Sequence, residues 1–229
     1  PDTYQANDRR RPLPMQAPSR SACGLPESAI VFATFNASYK ITPEIFAVWL
    51  RLLARVEGSV LWMFRSNSWS MQNLRAAAIA GGIDPARLVF AERLPLDQHL
   101  ARLANADLFL DTLPYNAHTT ASDALWVGLP VLTVAGRSFA GRVAASLLQA
   151  AEMPELITGS LEAYEALALE LAQAPARLAA LSARLKSRRL EMPLFDTPRF
   201  ARHLEAAYTT MWQRHRNGLP PATFEVAAE

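Results

Sequence analysis

The stretch Asp107-Leu108-Phe109-Leu110-Asp111-Thr112, with Asn116-Ala117-His118-Thr119-Thr120-Ala121-Ser122-Asp123 three residues beyond it, decides how this chain folds. The apolar run has the character of a buried strand, and the polar cluster after it opens a helix. The first turn of a helix offers backbone N–H groups without intrahelical partners and a partial positive charge, which suits an anion such as phosphate. His118, Thr119 and Thr120 add side-chain donors at that point, and Asp123 lies one turn further along. A plain N-cap, worth about 1 kcal/mol, is the competing explanation. Ligands of α/β proteins sit at such strand-to-helix junctions, so this is where a nucleotide is to be sought.

Strand and helix alternate regularly around this segment. Ile30 to Phe35 is β-branched and aromatic, and a helix is predicted over 43–56, with Thr42 as its N-cap and Pro43 in its first turn. Ile45, Val48, Trp49, Leu52 and Leu53 recur on one face of that helix. Further strands are predicted at 59–64, 87–91, 108–111 and 131–134, with helices at 71–80, 97–106, 119–127 and 140–151. A short strand, Leu156-Ile157, closes the series. Connections this short imply right-handed crossovers, hence an α/β fold with a parallel sheet and helices on both faces. Residues 1–28, rich in Pro, Arg, Ser and Asp, form an extended connector; 29–159 form the sheet domain; 160–229 form a C-terminal helical segment and tail. The last helix, predicted over 198–215, carries Phe200, Leu204, Tyr208, Met211 and Trp212 along one side. Such a stripe suits packing on its own domain and crossing to a facing one equally well.

Composition narrows the function classes. In 229 residues, 51% are hydrophobic, ample for a core, and the net charge of +2 is too small to argue for nucleic acid. The one basic run, Arg9-Arg10-Arg11, sits among prolines and is expected to be a solvated loop. Cys23 is the only cysteine, which excludes an intrachain disulfide and accords with a reducing, cytoplasmic setting. The apolar run from Ala124 to Ala135 is broken by Gly128 and Pro130 and is too short to cross a membrane. No secretory signal is visible, and the chain opens on Pro1, so an upstream portion is expected.

The familiar phosphate loops are missing. No Gly-x-Gly-x-x-Gly is present, and although Gly136 and Gly141 have P-loop spacing, Arg142 and Val143 replace the lysine and the magnesium-binding hydroxyl. That pair is better explained as a turn ahead of a helix. Basic groups gather instead at strand ends. Lys40 follows the first strand in Phe35-Asn36-Ala37-Ser38-Tyr39-Lys40, and His99 and Arg102 share a helix face after the third. An imidazole or guanidinium plane there could stack on a base. Asp123 could accept ribose hydroxyls or stabilise the positive end of its own helix. Asp107 and Asp111 share a strand face, with Asp111 at the junction. His99, His118, His203 and His215 lack ligand spacing and no Asp-x-Asp motif occurs, so no metal site is expected. The Met and Trp residues, Trp49, Trp62 and Trp126 among them, fall in apolar patterns and are assigned to the core.

Phe35-Asn36-Ala37-Ser38-Tyr39-Lys40-Ile41, Ser59-Val60-Leu61-Trp62, the 116–123 segment, Val143-Ala144-Ala145-Ser146 and Pro193-Leu194-Phe195-Asp196 occur in the order found in one family. Over residues 22–215 the chain resembles the C-terminal catalytic half of O-linked N-acetylglucosamine transferases, in a form similar to a bacterial homologue. The resemblance implies a GT-B glycosyltransferase, two Rossmann-like halves facing across a cleft, with 29–159 as the UDP-binding domain and no cofactor or metal. It implies that Lys40 contacts the diphosphate and stabilises departing UDP, as the catalytic residue of this half. Likewise His118, Thr119 and Thr120 would cradle the phosphates; His99 and Arg102 would line the uracil pocket; Leu94 would read uracil through main-chain atoms; Asp123 would hold the ribose. Ala37 stands where relatives often carry glutamine and Leu96 where a lysine can reach the ribose, which removes two polar contacts.

The partners so implied are a UDP-sugar donor, a Ser or Thr of a protein or peptide acceptor, and an N-terminal catalytic half, with tetratricopeptide repeats upstream. No nucleic acid or membrane partner is expected. The expected function is UDP-N-acetylglucosamine-dependent inverting transfer, this chain being the donor half and unable to turn over alone. The alternatives are another sugar or acceptor, UDP-glucose for example, or a non-catalytic nucleotide-sugar-binding module.

Overall fold

The strands of the sheet are β1 (Val31–Thr34), β2 (Val60–Phe64), β3 (Leu88–Ala91), β4 (Leu108–Leu110), β5 (Val131–Val134) and β6 (Ile157–Thr158). They come from a computed structural model that describes residues 2–13 and 16–227; Pro1, Pro14, Met15, Ala228 and Glu229, parts of the predicted connector and tail, lie outside the described residues. Every pairing is parallel, and the spatial order is β3-β2-β1-β4-β5-β6. This is the doubly wound Rossmann order, in which the direction of strand addition reverses between β1 and β4 and opens a crevice beyond their carboxyl ends. The four residues of β1, Val31 to Thr34, are all buried, as a central parallel strand covered on both faces must be.

Among the described residues eight α-helices accompany the sheet: α1 (Pro43–Arg55), α2 (Ser68–Ala80), α3 (Leu96–Leu103), α4 (Thr119–Val127), α5 (Val143–Ala150), α6 (Leu161–Ala172), α7 (Pro175–Arg188) and α8 (Thr197–Arg216). The α1 stripe buries Ile45, Val48, Trp49, Leu52 and Leu53, and Thr42 accepts the Ile45 N–H as its cap. Helix α1 packs against α6, while α4 packs against α3, α5 and α7. Gly128 ends α4 with φ +86, and the Lys186 side chain of α7 packs where a Cβ would stand. Only glycine meets both demands.

Several boundaries and three core assignments, Trp69, Met211 and Trp212, differ from the sequence reading; helix α3 ends at Leu103, three residues earlier than predicted. Helix α2 starts three residues earlier than predicted, because Asn67 and Ser70 form a reciprocal capping box. Helix α5 starts three later, because Ser138 accepts the Gly141 N–H in a turn. Strand β6 is shifted one residue by a 3-10 turn at Pro154–Leu156. Trp49, Trp62 and Trp126 are buried, but Trp69 and Trp212 are exposed on helix faces that nothing in the described chain covers. On α8 the apolar stripe is open as well: Leu204, Tyr208, Met211 and Trp212 are all exposed.

The start of the chain is fastened down. Asp2 pairs with Arg199 of α8 at 2.7 Å. Asn7 is buried, accepts the Ser122 hydroxyl of α4, and its backbone carbonyl takes the Thr197 hydroxyl of α8. Arg9 pairs with Asp196 and Arg10 with Asp8, but Arg11 is not solvated: it pairs with Asp123 in α4. The basic run differs from expectation because Asn7 turns the segment so that Arg11 faces the helix.

One polar chain ties the layers together: Trp49 Nε1 donates to the Tyr164 hydroxyl, which donates to the Asp111 carbonyl, each at 3.1 Å. Tyr164→Phe leaves both ends buried and unpaired, a loss of about 1–3 kcal/mol. Urea unfolding should show a lowered midpoint; an unchanged midpoint would mean the hydroxyl holds nothing.

Candidate functional site

The turn between β4 and α4 is built around one carboxylate. Asp111 Oδ1 accepts the N–H groups of Thr112 and Ala117 at 2.7 and 2.6 Å, and Oδ2 accepts the Thr133 hydroxyl of β5 at 2.6 Å. Thr112 donates to the Tyr115 carbonyl and the Asn116 amide to the Thr112 carbonyl, closing residues 112–117 into a compact loop that contains a cis Leu113–Pro114 peptide. The Gly136–Gly141 turn lies against this loop. A Cβ at Gly141 would meet the Pro114 carbonyl oxygen at 2.9 Å, so the glycine spacing serves close packing.

Helix α4 begins on this platform, with His118 in the N-cap position and no side-chain cap. Its first-turn N–H groups are therefore not occupied by a capping side chain, which removes the plain N-cap explanation of the segment. Thr119 is exposed. Thr120 differs from expectation: its hydroxyl donates to Asn36 Oδ1 at 2.9 Å, and buried Asn36 is anchored in turn on Thr112. The donor Thr120 presents is its backbone N–H. His118 Nδ1 meets the Tyr4 hydroxyl at 2.9 Å. Burial and the neighbouring Lys40 charge hold its imidazole below the ordinary histidine range, opposed by the Ala140 carbonyl.

Lys40 arrives from the end of β1, across the switch point. Its Nζ donates to the Asn116 carbonyl at 2.8 Å and stands 3.9 Å from the centre of the Tyr115 ring. An ammonium has three N–H donors, so two remain for a ligand. Burial lowers its pKa, partly offset by the Asp111 charge. From α3, Arg102 Nε donates to His99 Nδ1 at 3.1 Å and Nη1 to the Glu92 carbonyl at 2.6 Å. A guanidinium can only donate, so Nδ1 is the acceptor and Nε2 carries the ring proton. Burial, with Arg102 beside it, pushes His99 down to about 4, so the ring is neutral at neutral pH. Arg102 itself is buried over the Phe35 ring, which makes it the support of His99.

These elements enclose a cleft of about 1110 Å³. Lys40, Leu94, His99, Arg102, His118, Thr119, Thr120 and Asp123 all line it, as do Ala37 and Leu96. Asp123 is on the wall but already paired with Arg11. The sequence reading missed Tyr4, Gln5, Asn36 and Tyr115 as lining residues, and Asp111 as the centre of the turn. Asn36 and Tyr115 lie in the quoted loops, but Tyr4 and Gln5 belong to a segment without periodicity. Among the described residues no three His, Cys, Asp or Glu side chains converge on a metal-sized site.

The sequence profile of glycosyl transferase family 41 matches residues 3–204. The chain belongs to this family. Among family 41 relatives, the probable UDP-N-acetylglucosamine–peptide N-acetylglucosaminyltransferase SEC of Arabidopsis thaliana is 39% identical over 232 residues, covering 99% of this chain and 24% of that protein. The UDP-N-acetylglucosamine–peptide N-acetylglucosaminyltransferase of Caenorhabditis elegans is 36% identical, covering 88% of this chain and 18% of that protein. A solved structure of a mutant O-GlcNAc transferase from Thermobaculum terrenum superposes with a TM-score of 0.81 at 31% identity, over 90% of this chain and 39% of that one. This chain thus spans about a quarter or less of the length of these two curated relatives.

Burial raises the Asp111 carboxyl to about 7 against three hydrogen bonds and Lys40, which act to lower it. The folded state therefore binds this proton more tightly than the unfolded chain. That contribution to stability is fully present below 3.8, its ordinary value, and is lost as pH rises through about 7. In Asp111→Asn the amide oxygen can keep the two N–H bonds, and the amide nitrogen can donate to Thr133. Across this window the wild type should lose stability relative to Asp111→Asn in urea unfolding. Parallel pH profiles would contradict the raised value.

Proposed function

We propose that this chain is the donor-nucleotide half of an inverting, UDP-N-acetylglucosamine-dependent transferase acting on Ser or Thr of proteins. The observation that carries this reading is the convergence of Lys40, the uncapped start of α4 and the His99–Arg102 pair on one cleft at the switch point. The relatives' names supply the sugar and the peptide acceptor.

In this reading the diphosphate lies against the N–H groups of Thr119 and Thr120, with Lys40 over it and the His118 ring beside it. The uracil lies toward the neutral His99 ring and the Leu94 main chain, and the ribose toward Asp123. Cleavage of the sugar–phosphate bond builds negative charge on the outer phosphate. In this reading Lys40 and the α4 terminus face that charge, and donors of this kind typically contribute on the order of 10²–10³ in rate. No divalent cation is required by this arrangement. The acceptor side, with the group that takes the hydroxyl proton, belongs to an N-terminal half. Ala37 and Leu96 on the cleft wall offer the nucleotide no side-chain polar contact.

Calorimetry tests the reading. UDP and UDP-N-acetylglucosamine should bind, and Lys40→Met should weaken UDP by about tenfold or more, the worth of a charged hydrogen bond. Tighter binding of UDP-glucose would move the sugar assignment. If no uridine nucleotide binds, the reading fails, and robust transfer by this chain alone would refute its being only the donor half.

A further inference from the structure

Arg11 stands out because it belongs to a segment without secondary structure, yet it is one of the more firmly held arginines in the chain. Its Nη1 pairs with Asp123 Oδ1, and the two side chains are only 16% and 14% exposed. Its Nη2 donates to Asn7 Oδ1 at 3.1 Å, and the guanidinium stands 5.9 Å from the centre of the Trp126 ring. Asn7 is itself locked: its amide reaches the Leu194 carbonyl, its side-chain oxygen takes the Ser122 hydroxyl at 2.6 Å, and its backbone carbonyl takes Thr197. Arg11 is thus fixed from its own segment, from α4 and from the start of α8.

Asp123 lines the cleft, and its Oδ2 makes no hydrogen bond within the described chain. We infer that Arg11 is the positioning residue of a ribose subsite, holding the Asp123 carboxylate ionised and oriented so that Oδ2 accepts the hydroxyls of a uridine nucleotide. The inference rests on the UDP reading above and adds what makes the ribose contact strong.

The physical case is one of charge in a partly dry wall. Burial favours the neutral form of Asp123, and Arg11 opposes it. A protonated carboxyl would spend one oxygen as a donor and offer a weaker acceptor, whereas a carboxylate accepts hydroxyl protons through charge-assisted bonds about twice as strong as neutral ones. Breaking a buried pair by removing one partner leaves the other charge uncompensated, so Asp123 should not act normally without Arg11. The side chain also cannot swing freely: with Oδ1 held by Arg11, the free oxygen has one direction left.

Calorimetry with UDP and with 2′,3′-dideoxy-UDP reads this directly. The wild type should prefer UDP by about tenfold or more, the worth of a charge-assisted hydrogen bond. Arg11→Met should shrink that preference to about twofold while still binding the dideoxy nucleotide nearly as well as the wild type. Asp123→Asn should do the same, and Arg11→Met added to it should change little more. Arg11→Lys, which keeps the charge, should restore most of the preference. Melting curves confirm folding, and Arg11→Gln takes the place of Met if that variant does not fold. An undiminished preference in Arg11→Met, or equal losses for both nucleotides, would overturn the inference and leave the UDP reading standing. A wild type that binds neither nucleotide would overturn both.

Discussion

Everything at this site depends on the buried carboxylate of Asp111. It ties Thr112, the second residue after β4, to Ala117, five residues further along the turn, and to Thr133 on the neighbouring strand. That clasp sets where α4 begins, and so where its unpaired N–H groups point. The same loop supplies the Asn116 carbonyl on which Lys40 rests, so the cation from β1 and the helix terminus after β4 share one support. A carboxylate so deeply buried is costly. Here it is satisfied by three donors and a nearby ammonium, and its backbone carbonyl is engaged by Tyr164.

The second theme is that the cleft is walled by parts of the chain far apart in sequence. One side comes from the strand ends; another comes from Tyr4 and Gln5, with Arg11 of the same segment paired to the wall residue Asp123. Tyr4 on His118, Gln5 on Ser122 and Arg11 on Asp123 all attach to the first turn and a half of that helix. The opening segment therefore reports on the same groups proposed to hold phosphate and ribose. The exposed stripe of α8, beginning beside Thr197 and Asp2, leaves from this region as well.

Much of this was legible in the sequence because parallel strands and amphipathic helices carry strong periodicity. The six strands, the α1 stripe and the α4 start could be read from residue type alone. The errors lie where local hydrogen bonds override pattern: the Asn67–Ser70 box, the Ser138–Gly141 turn, and the Pro154 turn before β6. Seven of the eight expected residues that line the cleft were legible because they follow strand ends, where the topology brings them together; Leu94 was implied only by the family resemblance. What could not be read was how they are employed. Nothing in Thr120 announces that Asn36 takes its hydroxyl, and nothing in Arg9-Arg10-Arg11 says which arginine turns inward. Both outcomes come from partners distant in sequence, Asn36 in one case and Asn7 with Asp123 in the other. Trp69 and Trp212 show the converse: apolar residues at helical spacing can still be left open.

The central claim, that the Asp111-held turn and Lys40 form a diphosphate seat at the start of α4, is tested most directly by a crystal structure of the chain with UDP. The account predicts phosphate oxygens within hydrogen-bond distance of the Thr119 or Thr120 N–H groups and of Lys40 Nζ, with the turn at 112–117 unmoved. A nucleotide seated instead on the Gly136–Gly141 turn, or a diphosphate that leaves Lys40 on Asn116 untouched, would contradict it.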